Sequence, residues 1–169
     1  DPAVVEHALG LDRGFMPDVQ YFRRGGRPVP DKGLDTGAPD LAVEVIKGVM
    51  ASVPQLEAKR VDDVLVGNAV PEAEQGLQFG RIISARALGF DVPGVTVNRY
   101  CASGLETIAM ATAKIRTGMA DCIIAGGTES MSLVPTAGWK TVPSYSIAKD
   151  DPDYYLSMGL TAEAVAKDY

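Results

Sequence analysis

The chain has 169 residues, of which 46% are hydrophobic, and its formal net charge is -6. This length and apolar content suit one globular domain of average size or one part of a larger unit. The acidic balance argues against a nucleic-acid surface and against attraction to anionic membranes, and no apolar run approaches the roughly 20 residues of a membrane span.

Residues 1–38 are predicted to form an irregular N-terminal segment, because glycines and prolines interrupt every candidate element. The arginines within residues 23–27 could contact phosphates. No phosphate-cradling pattern accompanies them, so a solvated loop is favoured. The chain starts at Asp1 without a secretory signal pattern, and its last helical stretch has no stop signal before Tyr169, so we expect a piece of a longer protein.

Hydrophobic periodicity becomes regular in the next part of the chain. Apolar residues at helical spacing predict a helix over residues 39–53, which Pro54 ends. A β-branched run predicts a strand over residues 61–68. A second helix is predicted over residues 78–88, with Gly89 as its stop.

Three more elements complete the regular part of the chain. They are a strand over residues 95–98, a helix over residues 102–117 and a strand over residues 121–125. Apolar residues around nearly the whole circumference of the 102–117 helix predict burial on most of its sides. The alternation of helices and strands predicts an α/β layered architecture with a largely parallel sheet, and catalytic groups then tend to follow the carboxyl ends of the strands.

Cys101 lies at the predicted junction between the third helix and the strand that precedes it. A helix N-terminus carries unpaired N–H groups and the positive end of the macrodipole, which favours a thiolate over a thiol. The small residues at positions 102–104 leave space that a substrate carbonyl would need. Free cysteines are nevertheless usually packing residues, so spacing alone leaves the role of Cys101 open. Cys122, inside an apolar strand, is interpreted as a core thiol.

Other chemical motifs are scarce in the sequence. The two cysteines form no CxxC pair and His7 is the single histidine, so neither a disulfide framework nor a metal site is predicted. His7 is interpreted as a surface or capping residue. A reducing cytoplasm is the expected compartment.

Four segments resemble those of the thiolases (acetyl-CoA acyltransferases). The nucleophile segment of that family is similar to residues 97–106, Val-Asn-Arg-Tyr-Cys-Ala-Ser-Gly-Leu-Glu, and its second segment to residues 125–132, Ala-Gly-Gly-Thr-Glu-Ser-Met-Ser. Residues 62–68 and 158–163 look like further landmarks of the family. The resemblance thus covers residues 39–169, and it is identified with the N-terminal half of a thiolase.

The resemblance implies a thiolase-like layered fold. Its α/β core domain, with a mostly parallel sheet, would occupy residues 39–132, and the start of an inserted loop domain would occupy residues 133–169. The opening strand of the family, with its Arg-Thr pair, is not found in residues 1–38.

The resemblance also implies an activity. Cys101 would be the nucleophile that carries the acyl group as a thioester, in the cleavage of a 3-ketoacyl-CoA by CoA or in the reverse Claisen condensation. Such chemistry belongs to fatty acid metabolism, for example beta-oxidation. Met158 matches a position that lines the pantetheine and substrate channel, although a core methionine would look the same. CoA enters as a substrate, and no other cofactor and no metal are implied.

Two further expectations follow from the same family. Thiolases form homodimers or dimers of dimers, so residues 95–98 are the expected contact region. The family activates its nucleophile with a histidine in a Gly-His-Pro segment and uses a second cysteine in a Cys-x-Gly segment as acid and base. Neither segment occurs in this sequence, so we expect the chain alone to be an incomplete half with little turnover.

Two alternative functions remain open at this point. One is a non-catalytic, acyl-CoA-binding or scaffolding chain that pairs with a separate half. The other is a relative of the ketoacyl synthases, which share the fold and the cysteine nucleophile but lack the paired segments at residues 97–106 and 125–132.

Overall fold

The computed structural model describes residues 37–131 and 133–169. The predictions for residues 1–36, which include most of the irregular N-terminal segment, His7 and the arginines within residues 23–27, lie outside these residues. In the part that is described, six elements alternate strictly along residues 37–139: α1 (Ala38–Ser52), β1 (Asp63–Gly67), α2 (Phe79–Leu88), β2 (Gly94–Val97), α3 (Ser103–Arg116) and β3 (Ile123–Gly127). The predicted α/β class is confirmed, and all six elements begin within two residues of the predicted bounds.

The strands form a parallel sheet in the order β2-β1-β3 within the described residues. In β1, Gly67 pairs with Val97 of β2 and with Gly127 of β3. Because all three strands run in one direction, their carboxyl ends meet at the same edge of the sheet. The residues that follow the three strands are therefore neighbours in space, although they are far apart in the sequence.

Both faces of β1 are covered, which explains why its sequence is a continuous apolar run. On one face, Val64 and Val66 belong to a core cluster that includes buried residues of α1 and α2, among them Val43, Phe79 and Ile83. On the other face, fully buried Leu65 packs in a second cluster with residues of α3, of β3 and of the segment between them: Ala111, Ala120, Ile123 and Ala125. The alternation of faces along β1 assigns the two helices α1 and α2 to one layer and α3 to the other.

The prediction that α3 is buried on most of its sides is wrong for the described part of the chain. Its buried residues are Ser103, Thr107 and Ala111, which recur every four positions and so form one stripe. Leu105 is 65% exposed on another side of the helix. One face of a single sheet covers only one face of a helix, whatever the composition of the remaining faces.

Cys122 immediately precedes β3 and is half-buried against the first core cluster. Desolvation raises the pKa of the Cys122 thiol, and the nearby carboxylate of Asp62 raises it further. This placement agrees with the interpretation of Cys122 as a packing residue.

Residues 140–169 form a second compact unit. It contains α4 (Tyr145–Asp150), a 3₁₀ turn (Pro152–Tyr155) and α5 (Met158–Asp168). The Oγ atom of Ser157 accepts a hydrogen bond of 3.3 Å from the N–H of Leu160 and so caps α5 at its start. The predicted domain boundary after residue 132 stays a prediction. Across residues 37–131 and 133–169, we find no helix with the length and apolar character needed to cross a membrane.

Asp62 ties the start of β3 to the start of β1. One carboxylate oxygen of Asp62 accepts hydrogen bonds from the backbone N–H groups of Asp121 at 2.7 Å and Cys122 at 2.9 Å. These two bonds hold the pKa of the Asp62 carboxyl below its usual value, because they stabilise the ionised form. The Asp62 N–H also donates to the carbonyl of Cys122, so this junction is bonded in both directions.

We expect Asp62→Asn to lower the thermal midpoint at neutral pH. A carboxylate whose pKa is depressed in the folded state contributes stability above its unfolded pKa, about 3.9, and loses it as the pH falls through the folded value. The difference between Asp62→Asn and the wild type should therefore shrink below about pH 4 in a pH series of thermal melts. Asp91→Asn, at an exposed aspartate, is the control for loss of one negative charge. A difference that persists unchanged at pH 2 would contradict the assignment.

Candidate active site

Cys101 lies at the sheet edge where the carboxyl ends of the strands meet. It follows the end of β2 at Val97 and precedes the start of α3 at Ser103. Its side chain is exposed. The structure therefore places Cys101 at the strand-to-helix junction that its sequence context predicts.

A sharp turn carries the chain from β2 to Cys101. Tyr100 adopts a left-handed backbone conformation with φ of 47°. Its N–H donates to Oδ1 of Asn98 at 2.9 Å, and its carbonyl accepts from Oγ of Ser103 at 2.6 Å. Ser103 Oγ also accepts from the N–H of Arg99 at 2.9 Å. Both peptide groups of Tyr100 are thus held by side chains from either side of the turn.

The first turn of α3 packs directly on the end of β1. A Cβ atom at Gly67 would lie 2.7 Å from the carbonyl carbon of Ser103 and 2.8 Å from the nitrogen of Gly104. Only glycine allows this approach of two backbones. Thr107 Oγ1, one turn further along α3, donates to the carbonyl of Gly126 in β3 at 3.2 Å. The start of α3 is therefore fixed against both β1 and β3.

Arg99 and Glu106 form an ion pair across the first turn of α3. Nε of Arg99 lies 2.8 Å from Oε2 of Glu106, and Nη2 donates to Oε1 at 3.1 Å. This two-point geometry fixes the direction of the Arg99 side chain. Glu106 also places a negative charge near the positive end of the α3 dipole, where it is favourable. The pair stands beside the Cys101 turn, and its exposed position limits its contribution to stability.

Glu129, which follows β3, organises the loop that follows β1. Its carboxylate accepts hydrogen bonds from the N–H groups of Ala69 at 2.6 Å and Val70 at 3.3 Å, and from Nε2 of Gln75 at 2.9 Å. Gln75 is completely buried, and its Oε1 accepts from the N–H of Ser130 at 2.6 Å. This polar cluster joins the carboxyl ends of β1 and β3.

Two asparagines extend the connection to all three strands. Asn68, which follows β1 and is buried, donates from Nδ2 to the carbonyl of Thr128 at 3.0 Å. Asn98, which follows β2, donates from Nδ2 to the carbonyl of Ala69 at 3.0 Å. We refer to Asn68, Gln75, Asn98 and Glu129 as the edge network. The turn that bears Cys101 is therefore bonded to the loop after β1, and through it to β3.

Reasoning from the sequence missed the edge network as a functional feature. The signal was available, because Asn68, Asn98 and Glu129 each come directly or almost directly after a strand of a parallel sheet. Polar residues at these positions converge at one edge. Gln75 had no comparable signal, since its burial depends on a partner 54 residues away.

The other predicted site residue, Met158, lies in the second compact unit. It is the first residue of α5, and its side chain is 71% exposed. Cys101 belongs to the first unit. In residues 37–131 and 133–169, no three histidine, cysteine, aspartate or glutamate side chains come together in a group that could hold a metal ion.

Comparison with known proteins gives consistent matches. The family model described as "Thiolase, N-terminal domain" matches residues 32–169. A 3-ketoacyl-CoA thiolase of Bacillus subtilis (strain 168) is 56% identical over 110 residues, which are 64% of this chain and 28% of that protein. Beta-ketothiolase BktB of Cupriavidus necator is 33% identical over 147 residues, 80% of this chain and 37% of that protein. An acetyl-CoA acetyltransferase of Escherichia coli (strain K12) is 33% identical over 147 residues, 79% of this chain and 37% of that protein. The chain thus spans well under half the length of these curated relatives.

We expect Gly67→Ala to destabilise the chain by about 1–3 kcal/mol, because the added methyl group forces the start of α3 away from β1. The matched control is Gly48→Ala, at an exposed helix position where a Cβ meets no atom within 4 Å. That substitution should be neutral or stabilise the chain by up to about 1 kcal/mol. Urea unfolding of both variants measures the difference, and equal free energies of unfolding would contradict the close packing at Gly67.

Proposed function

This chain belongs to the thiolase family, and we propose that it carries the nucleophile of an acyl transfer between CoA thioesters. The observation that supports the proposal best is the placement of Cys101. Its thiol is exposed, it follows a left-handed residue in a sharp turn, and it immediately precedes the first turn of α3 at the carboxyl edge of a parallel sheet. This edge is where α/β proteins place their reactive groups.

In the proposed thiolysis, the Cys101 thiolate attacks the 3-keto carbon of a 3-ketoacyl-CoA. The bond between C2 and C3 then breaks, and its electron pair stays with the departing acetyl-CoA enolate, which takes up a proton. The shortened acyl group remains on Cys101 as a thioester. The thiol of free CoA gives up its proton and attacks that thioester, which releases the acyl-CoA and restores the Cys101 thiolate. The condensation runs through the same steps in reverse.

The backbone of the turn supplies a candidate for oxyanion stabilisation. The N–H groups of Ala102 and Ser103 donate to the carbonyls of Arg99 and Tyr100, at 3.1 and 3.0 Å, and so close the turn. We assign the N–H of Cys101 itself to the negative oxygen that develops on the attacked carbonyl. A donor fixed in place before the reaction stabilises that charge without reorganisation. Met158 is proposed to line the channel for the pantetheine and acyl chain.

Two chemical groups of the proposed reaction are absent from this sequence. The family takes its activating histidine from a Gly-His-Pro segment and its second acid-base cysteine from a Cys-x-Gly segment, and the sequence contains neither. We therefore propose that the chain is the nucleophile-bearing part of the site. General acid-base groups commonly contribute about 10²–10⁴-fold each to a rate, so the chain alone should turn over slowly.

The substrate class and the compartment are part of the proposal. The name of the Bacillus subtilis relative specifies 3-ketoacyl-CoA, and we extend that class to this chain, with a role in fatty acid degradation. We place the protein in the cytoplasm, because free thiols such as that of Cys101 are typical of a reducing compartment.

We propose that the chain forms a homodimer or a dimer of dimers through β2. Within the described sheet β2 is an edge strand, so one side of it has no neighbouring strand. The N–H of Thr96 in β2 donates to Oε1 of Gln78 at 3.2 Å. A strand of a second copy would replace such side-chain bonds with a backbone ladder.

The acyl transfer predicts a stable acetyl adduct on Cys101 when the chain is incubated with acetyl-CoA. Peptide mapping by mass spectrometry should locate the adduct on Cys101, with slow formation over hours and negligible steady-state thiolysis of acetoacetyl-CoA. The adduct should be lost in Cys101→Ser and kept in the matched variant Cys122→Ser. An adduct that survives in Cys101→Ser, or an absence of any adduct, would contradict the assignment. Thiolysis by the chain at the rate of whole enzymes would contradict its incompleteness.

The proposed dimer predicts a molar mass of at least two chains in light scattering at micromolar concentration. A dilution series should lower that mass as the dimer dissociates. A monodisperse monomer throughout the series would count against pairing through β2, and it would leave the chemistry assigned to Cys101 untouched.

A further inference from the structure

Tyr100 is held in a conformation that a tyrosine adopts at a cost. Its φ of 47° is in the left-handed region, where a Cβ atom crowds the following carbonyl oxygen. The ring gives no compensation from burial, since it is 73% exposed. The conformation must therefore be held by bonds to the backbone of the turn.

Asn98 provides a bond to the N–H of Tyr100 and is itself anchored. Its Oδ1 accepts from that N–H at 2.9 Å, and its Nδ2 donates to the carbonyl of Ala69 at 3.0 Å. The N–H of Ala69 in turn donates to Oε2 of Glu129 at 2.6 Å. A continuous set of hydrogen bonds thus runs from the loops after β1 and β3 to the residue before Cys101.

We propose that Asn98 is a positioning residue that holds Tyr100 in the left-handed conformation and so sets the placement of the Cys101 thiol. The proposal rests on the proposed function in one respect only, namely that the positioned thiol serves as the nucleophile of acyl transfer. Without the Asn98 bond, Tyr100 can relax to the right-handed region that side chains prefer. The chain direction at Cys101 then changes, and the thiol leaves its place before α3.

Asn98 suits a direct test because its side chain is exposed. Its truncation removes hydrogen bonds without opening a cavity, in contrast to Ser103, which is 4% exposed and bonded on both sides of the turn. Glycine occupies the left-handed region freely, so in Tyr100→Gly residue 100 keeps that conformation without the Asn98 hydrogen bond. The pair Asn98→Ala and Tyr100→Gly therefore separates an effect on the turn from an effect on the rest of the fold.

The measurement is the rate of iodoacetamide labelling of Cys101 relative to Cys122, by mass spectrometry of the 169-residue chain. If the Asn98 bond favours the left-handed conformation of Tyr100 by about 1–2 kcal/mol, its loss changes the ratio of left-handed to right-handed conformations by about 5–30-fold. We expect the Cys101 to Cys122 ratio to change by about fivefold or more in Asn98→Ala, because the thiol then leaves its wild-type surroundings. Asn98→Ser keeps a weaker acceptor for the N–H of Tyr100, so its labelling ratio should lie between those of the wild type and Asn98→Ala.

The decisive comparison is whether Tyr100→Gly restores the labelling ratio that Asn98→Ala changes. Tyr100→Gly alone should keep the wild-type ratio, and Asn98→Ala with Tyr100→Gly should restore it. An unchanged ratio in Asn98→Ala, or a double variant that labels like Asn98→Ala, would overturn the proposal. Half-buried Cys122 reports on folding, since unfolding would accelerate its labelling. If Asn98→Ala unfolds, the double variant must fold and label normally for the proposal to stand.

Labelling uses no CoA thioester, so this result is independent of the proposed acyl transfer. If the turn behaves as expected while acetyl-CoA leaves Cys101 unmodified, the proposed function fails and the positioning role stands. If Cys101 is acetylated equally well with and without Asn98, the positioning role fails and the proposed function stands.

Discussion

The contact between Gly67 and the first turn of α3 is the constraint on which the candidate site depends. It brings the backbone of a central, fully covered strand against the backbone of the helix that begins after Cys101. A side chain at this position would separate the two elements. Because β2 pairs in register with β1, the same contact also fixes the position at which β2 ends and the chain turns toward Cys101.

Hydrogen bonds at the sheet edge convert this fixed frame into a defined turn. Buried Gln75 and the carboxylate of Glu129 satisfy backbone groups that no strand or helix pairs. A buried polar cluster of this kind is stabilising only when its members are bonded to one another, and then it specifies one arrangement. The arrangement keeps an exposed thiol in front of a helix while the surrounding loops remain irregular. Stability and reactivity thus have separate sources. Apolar packing on the two faces of the sheet stabilises the fold, and polar contacts at the edge of the sheet position the Cys101 thiol.

Local patterns predicted most of the fold, and long-range contacts account for what they missed. Apolar periodicity with glycine and proline stops located α1, β1, α2, β2 and α3 closely. The last strand was placed two residues early, because the Asp62 carboxylate and backbone bond the groups at Asp121 and Cys122 before the strand begins. It continues to Gly127, where a Cβ would lie 2.9 Å from the carbonyl oxygen of Gly67, so glycine is needed for that pairing. The position of Cys101 followed from its neighbours in the sequence, whereas the edge network joins residues 29, 54 and 60 positions apart. No local pattern contains that information.

A crystal structure of the chain after reaction with acetyl-CoA would show directly whether Cys101 is the acyl-carrying nucleophile. We expect an acetyl group on Sγ of Cys101, with its carbonyl oxygen about 2.7–3.1 Å from the backbone nitrogen of Cys101. Tyr100 should keep its left-handed conformation in that structure. An unmodified Cys101 in crystals that contain the acetyl donor, or an acetyl group whose carbonyl points away from the turn, would contradict the role assigned to Cys101 and its backbone N–H.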